Sequence, residues 1–280
     1  MPKANQGRSE EQAAPEKTAR LFLGLALGLT CLAYAGTLRF GFVYDDLTQI
    51  VRNPFLESWR YLPQYFTQHV WSHIWPDQPG IYYRPAFLAW LLLNRWLFGL
   101  DPAGWHLVAV LAHVACTALV WRLAQRLTGD RMAAAYAALI FGLHPVHVEG
   151  VAWVSGTTEP LMAALAVGSV LCWLRGREGG NRKPAWQAAS LALFVLSMLV
   201  KETGIVVAGL VAVHAWMEPA RQTDRGKEKV LSAVRAALPF VLLGLLYLGA
   251  RRAVLGEVVQ PEWPGAITVL LTLPAVLGFY

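Results

Sequence analysis

Long apolar segments are the feature of this sequence that most restricts how the chain can fold. A helix needs about 20 mainly apolar residues to cross the hydrocarbon core of a bilayer. Seven segments approach or exceed this length, and an eighth begins near Ala266 and is still apolar at Tyr280. The seven segments are Leu21–Leu38, Trp105–Leu127, Met132–Val148, Pro160–Leu174, Ala185–Val200, the shorter Ile205–Trp216, and Val230–Gly249. The sequence therefore predicts an all-α polytopic membrane protein, a helical bundle of about seven spans with the start of an eighth.

The composition supports a membrane protein over a soluble one. Hydrophobic residues make up 56% of the chain and charged residues only 15%, whereas soluble domains carry about 25% charged residues. A formal net charge of +6 would suggest a nucleic-acid partner in a soluble chain. In a membrane protein the same excess is typical of cytoplasmic loops. We therefore expect the lipid bilayer as a partner and no nucleic acid.

The distribution of the 24 Lys and Arg residues predicts the topology. Most of them fall in alternate segments if the N-terminus is cytoplasmic and the short stretch Tyr83–Gly99 does not span, as the positive-inside rule requires. That stretch is therefore expected to be an interfacial helix in the first outer loop. The predicted organisation is a polar cytoplasmic tail (1–20), a transmembrane module (21–280) that is truncated at its C-terminus, and an outer loop over residues 40–104.

In this topology the unusual polar clusters all fall on the outer side. Carboxylates near a membrane surface can act as general bases, and cations retained outside suit an anionic lipid phosphate. Less specific explanations exist for each cluster: a helix-capping turn, a weak zinc half-site of the HxxH type, or a lysine that extends to the interface. The candidate residues are Asp45, Asp46, Arg84, His144, His147, Glu149, Lys201, Glu202, Arg251 and Arg252.

Read in order, these residues resemble a known family. The quoted blocks are Phe42-Val43-Tyr44-Asp45-Asp46, then Tyr83-Arg84-Pro85, then His144-Pro145-Val146-His147-Val148-Glu149-Gly150-Val151-Ala152-Trp153, and finally Lys201-Glu202-Thr203-Gly204. This succession is similar to the transmembrane and tetratricopeptide-repeat O-mannosyltransferases, relatives of the protein O-mannosyltransferases with the GT-C fold. The resemblance covers about residues 40–217.

The resemblance implies a GT-C-like bundle and a transferase that moves a mannose-like sugar from a lipid-phosphate donor to a hydroxyl of a protein or glycan acceptor, with inversion. It implies Asp45 as general base, Asp46 as its support and Glu149 as a second acidic position. Our candidates for contacts with the donor and its phosphate are Arg84, His144, His147, Lys201, Glu202, Arg251 and Arg252.

Three further expectations follow, and one competing function stays open. The resemblance implies no cofactor, although Asp45, Asp46 and Glu149 are also a set that could hold a divalent cation. Residue usage suggests a bacterial inner membrane with the site facing the periplasm, or the lumenal face of the endoplasmic reticulum in a eukaryote. The alternative is a transporter or flippase of lipid-linked sugars or anionic lipids, which would use the same outer cations without transfer chemistry.

Overall fold

The computed structural model describes residues 3–76, 80–178, 181–218, 225–256 and 265–279, and in this part of the chain every regular element is helical. The helices are α1 Lys3–Tyr34, α2 Pro85–Phe98, α3 Pro102–Thr128, α4 Arg131–Leu143, α5 Val148–Ala152, α6 Thr158–Arg177, α7 Lys183–Val200, α8 Val206–Met217, α9 Arg225–Leu255 and α10 Ala266–Phe279. The predicted all-α membrane fold is confirmed.

Five segments are long and apolar enough to cross a membrane: Thr18–Arg39, Pro102–Thr128, Val154–Arg177, Lys183–Val200 and Gly226–Leu255. The two other segments predicted as spans form the shorter apolar helices Arg131–Leu143 and Glu202–Met217. The predicted span Met132–Val148 is too long, because α4 ends at Leu143. His144 is extended (φ −65°, ψ 128°), as expected for a residue that precedes a proline.

Helix α2 is not among the segments of spanning length. Its 14 residues extend about 21 Å at 1.5 Å per residue, well short of a bilayer core of about 30 Å. Its buried face, which includes Phe87 and Leu91, joins a hydrophobic cluster with Ile50, Leu56 and Tyr65 from the preceding loop. This loop contains short 3-10 and π turns instead of long helices, so α2 anchors it to the bundle.

Successive long helices run in alternating directions, which gathers separated segments at one end. Ser169 on α6 and Ser190 on α7 exchange hydroxyl-to-carbonyl hydrogen bonds of 2.8 Å in the middle of the bundle. Where α7 ends, the ammonium of Lys201 bonds the carboxylate of Glu159 at the start of α6. Where α9 ends, Arg251 donates to the carbonyl of Ile81 at 2.8 Å. We call this end, which carries the loop of residues 40–84, the loop end.

A buried carboxylate ties the first loop to the segment between α5 and α6. Asp46 has no exposed surface. Its Oδ1 accepts the backbone N–H of Ser155 at 2.9 Å and the Ser155 hydroxyl at 2.5 Å. Its Oδ2 accepts the N–H of Val43 at 3.1 Å. Hydrogen bonds to an ionised acceptor are stronger than neutral ones, so Asp46 fixes two chain segments against each other.

We predict that Ser155→Ala destabilises the protein by about 1.5–3 kcal/mol, because the buried carboxylate loses one charge-assisted donor. The measurement is the free energy of unfolding in a detergent titration. The matched control is Thr67→Ala, which removes an exposed hydroxyl bonded only within its own turn and should cost less than about 0.5 kcal/mol. Equal stability of the two variants would contradict the role of the tie.

The second prediction concerns the side of the membrane that the loop end faces. In a background lacking Cys31, Cys116 and Cys172, we expect Glu57→Cys to react with a membrane-impermeant maleimide on intact cells. Lys183→Cys, at the opposite end of the bundle, should react only after permeabilisation. Both positions are exposed, so accessibility within the protein does not distinguish them. The reverse labelling pattern would overturn the topology deduced from the basic residues.

Candidate active site

A cavity of about 590 Å³ opens at the loop end of the bundle. Its walls come from the first loop, from the ends of α3 and α4, and from the segments around α5 and the start of α6. This volume is within the range of small-molecule sites. Five of the ten candidate residues from the sequence line it: Asp45, Arg84, His147, Glu149 and Lys201.

Asp45 presents a free carboxylate to this cavity. It is exposed and follows Tyr44, whose φ of 48° lies in the left-handed region that non-glycine residues seldom adopt. Within the described part of the chain its carboxylate has no hydrogen-bond or ion-pair partner. Partial burial and then the charge of Asp46 raise the pKa of Asp45 above the usual value for an aspartate. Asp45 is therefore an available acceptor whose basicity is increased.

The neighbouring Asp46 is placed differently, because its side chain lies beneath the cavity and does not line it. Both of its oxygens are already engaged by Val43 and Ser155. The two adjacent aspartates therefore occupy distinct environments, one open to the cavity and one built into its floor.

Glu149 supplies a second carboxylate from the first turn of α5. It is exposed and lines the cavity. The chain folds tightly behind it: a Cβ on Gly156 would lie 2.6 Å from the carbonyl oxygen of Glu149, closer than real contacts allow. A glycine at position 156 thus lets the two segments approach and keeps Glu149 at the cavity wall.

The cations are held by carboxylates at the cavity rim. Arg84 forms a bidentate pair with Glu202 through Nε–Oε2 (3.1 Å) and Nη2–Oε1 (2.9 Å). Nη1 of Arg251 lies 3.9 Å from Oε2 of the same Glu202. Two guanidinium groups thus share one carboxylate, which leaves an excess positive charge. Of the three, only Arg84 lines the cavity, so Glu202 and Arg251 support it from behind.

The two histidines of the HxxH pattern have separate positions. The ring of His147 lines the cavity, with centroid distances of 4.4 Å to Phe141 and 5.0 Å to His113. Burial, together with the nearby His144, lowers the pKa of His147. The Nδ1 of His144 instead accepts the N–H of Val146 at 3.2 Å, and His144 is not part of the cavity wall. The exposed Arg252 also lies outside it.

Two site residues escaped the sequence reasoning. Glu159 lines the cavity and pairs with Lys201, and Ser155 anchors Asp46. Glu159 had a usable signal, because a carboxylate at the start of a span on the outer side should meet a cation at the end of the next span. Ser155 carries no such signal. In the described residues, no three His, Cys, Asp or Glu side chains are grouped as metal ligands.

Comparison with known proteins follows from these blocks. The family described as dolichyl-phosphate-mannose-protein mannosyltransferase matches residues 80–247. Curated relatives include protein O-mannosyl-transferase TMTC1 of Mus musculus, 31% identical over 78% of this chain and 25% of its own length. TMTC2 of Mus musculus is 33% identical over 69% of this chain and 23% of its own. TMTC3 of Homo sapiens is 28% identical over 68% and 21%.

The chain spans about a quarter of the length of these relatives. No solved structure matches it. The relatives confirm the resemblance drawn from the sequence blocks. Since the family match alone extends over more than half of the residues, this chain belongs to the dolichyl-phosphate-mannose-protein mannosyltransferase family.

Proposed function

We propose that this chain is the membrane catalytic part of a glycosyltransferase that moves a mannose-like sugar from a lipid-phosphate donor to a hydroxyl of an acceptor protein. The reaction takes place at the loop end, which faces the non-cytoplasmic side in the topology deduced from the basic residues. The names of the relatives support a protein acceptor. The observation that carries the proposal is that one cavity is lined by the free carboxylate of Asp45 and by the cations Arg84 and Lys201.

The base side of the reaction is assigned to Asp45. The acceptor oxygen attacks the anomeric carbon of the sugar while Asp45 takes the hydroxyl proton, and the configuration at that carbon inverts. A carboxylate with a raised pKa is a better general base near neutral pH, provided that it is ionised. Asp46 is the positioning residue: its bonds to Val43 and Ser155 hold the turn that presents Asp45.

The leaving-group side is assigned to the cations. As the bond between the anomeric carbon and the phosphate oxygen breaks, the lipid phosphate leaves with the electron pair and gains negative charge. Arg84 is held in place by Glu202, so it needs no rearrangement to stabilise that charge. Lys201, paired with Glu159, lies on the same cavity wall. Glu149 and His147 are positioned to bind hydroxyls of the sugar or the acceptor.

This assignment needs no cofactor, and a transporter is less well supported. A transporter is expected to have broken helices with polar groups near the bilayer midplane in repeated halves. Here the candidate acid–base residues gather at one end of the bundle. A base opposite phosphate-binding cations is what transfer chemistry requires.

We predict that Asp45→Asn lowers the rate of sugar transfer at least about 100-fold, because general-base catalysis contributes 10²–10⁴-fold. The measurement is transfer of radiolabelled mannose from a polyprenyl-phosphate donor in proteoliposomes. The control is Glu57→Gln, which neutralises an exposed carboxylate of the same loop outside the cavity. Undiminished transfer by Asp45→Asn, with normal membrane insertion, would remove Asp45 from the mechanism.

We predict that replacing both Arg84 and Glu202 by Gln raises the KM for the lipid-phosphate donor about tenfold, the effect of losing a charge-assisted contact. The double variant removes the ion pair without leaving an unpaired carboxylate. The KM for the acceptor should change little, which separates donor binding from general damage. Arg52→Gln, an exposed cation of the same loop, is the control, and an equal donor KM in the two variants would contradict the assignment.

A further inference from the structure

A second cavity of about 800 Å³ lies at the end of the bundle opposite the proposed active site. It is enclosed by the last turn of α6, the first half of α7, the end of α8 and the first half of α9. No residue of the proposed mechanism contributes to it. Its wall changes in character with depth, from charged residues at the ends of the helices to aromatic and aliphatic residues further in.

The charged part of the wall carries an unbalanced positive charge. Arg177 is neutralised by a bidentate pair with Glu218. Helix α9 adds Lys229 and Arg235, opposed by the single carboxylate of Glu228. Arg235 is exposed, and in the described part of the chain its guanidinium has no hydrogen-bond or ion-pair partner. A free guanidinium on the wall of a cavity is a ready site for a phosphate group, which it can bind with two parallel hydrogen bonds.

The backbone of α9 adds a polar group at the same level. Pro239 lies inside the helix and lines the cavity. A proline has no N–H to donate to the carbonyl four residues earlier, which is that of Arg235. Such a carbonyl in a membrane helix requires another donor. The hydroxyl of Ser232, one turn earlier on the same face, lines the cavity as well.

The deeper part of the wall is apolar. It includes Trp173, Leu191, Ala215 and Phe240. On the outer surface of α9, the side chains of Leu231, Val234 and Leu238 are exposed, and Leu231 also belongs to the cavity wall. An amphiphile with its head group at Arg235 would therefore have a continuous apolar surface along α9 for its acyl chains.

We infer that this second cavity binds an anionic phospholipid, with the phosphodiester held by Arg235 and Lys229 and the acyl chains along α9. The net positive charge favours an anionic lipid over a zwitterionic one. The unpaired Arg235 carbonyl and the Ser232 hydroxyl suit a head group that carries its own hydroxyls, such as phosphatidylglycerol. The site is separate from the donor cavity, and its occupancy does not depend on the transfer reaction.

The test is native mass spectrometry of the full chain released from nanodiscs containing equal amounts of phosphatidylglycerol and phosphatidylcholine. We expect the parent protein to retain phosphatidylglycerol preferentially. Arg235→Gln should lower the retained phosphatidylglycerol about tenfold, and Arg235→Lys should restore most of it. Ser232→Phe, which fills the cavity without changing its charge, should also abolish retention.

The matched control is Arg182→Gln, which removes an exposed cation at the same end of the bundle but outside the cavity wall. It should leave retention unchanged. Equal losses in Arg182→Gln and Arg235→Gln would overturn the proposal, because binding would then reflect diffuse attraction to a basic surface. Equal retention of the two lipids by the parent protein would overturn it as well. The measurement is independent of transfer activity, so its failure would leave the proposed function intact.

Discussion

The hydrogen bonds of the Asp46 carboxylate are the interaction on which the geometry of the proposed site depends. They join residues 109 positions apart, the turn after α1 and the segment before α6. They also close the turn over Val43, within which Tyr44 keeps an unfavourable left-handed backbone. Such strain costs about 1–3 kcal/mol and persists only where the surroundings enforce it. The buried Asp46 therefore holds a turn that directs Asp45 into the cavity.

The sequence predicted much of the fold because the physical signals involved are local. Apolar length and the distribution of basic residues indicate where helices cross a membrane and which of their ends lie together. Where the prediction was wrong, the cause was also local: α4 stops at Leu143 because His144 precedes a proline. The alternation of helices then brings Arg84 to Glu202 across 118 positions. The pattern predicted a shared end of the bundle but not the pairing itself.

The site was less predictable because adjacent residues with the same chemistry have different environments. Nothing in the sequence distinguishes Asp45 from Asp46, yet one lines the cavity and the other is fully buried. The difference arises from Ser155, a residue type that is common in every loop. Likewise, the role of Glu202 depends on its position between Arg84 and Arg251. Such assignments require the tertiary contacts, because a carboxylate acts as base, support or counter-ion according to its partners.

The partners of the cations separate the two ends of the bundle more clearly than the number of cations does. At the loop end, Arg84 and Lys201 are held by carboxylates, so they are pre-oriented around a cavity that also contains a free base. At the opposite end the cavity contains a free guanidinium, that of Arg235, and its carboxylates belong to the rim. Pre-oriented charge suits stabilisation of a transition state, whereas a mobile free cation suits binding of a lipid that exchanges with the bilayer. The same excess of basic residues that orients the chain in the membrane therefore serves two separate binding sites.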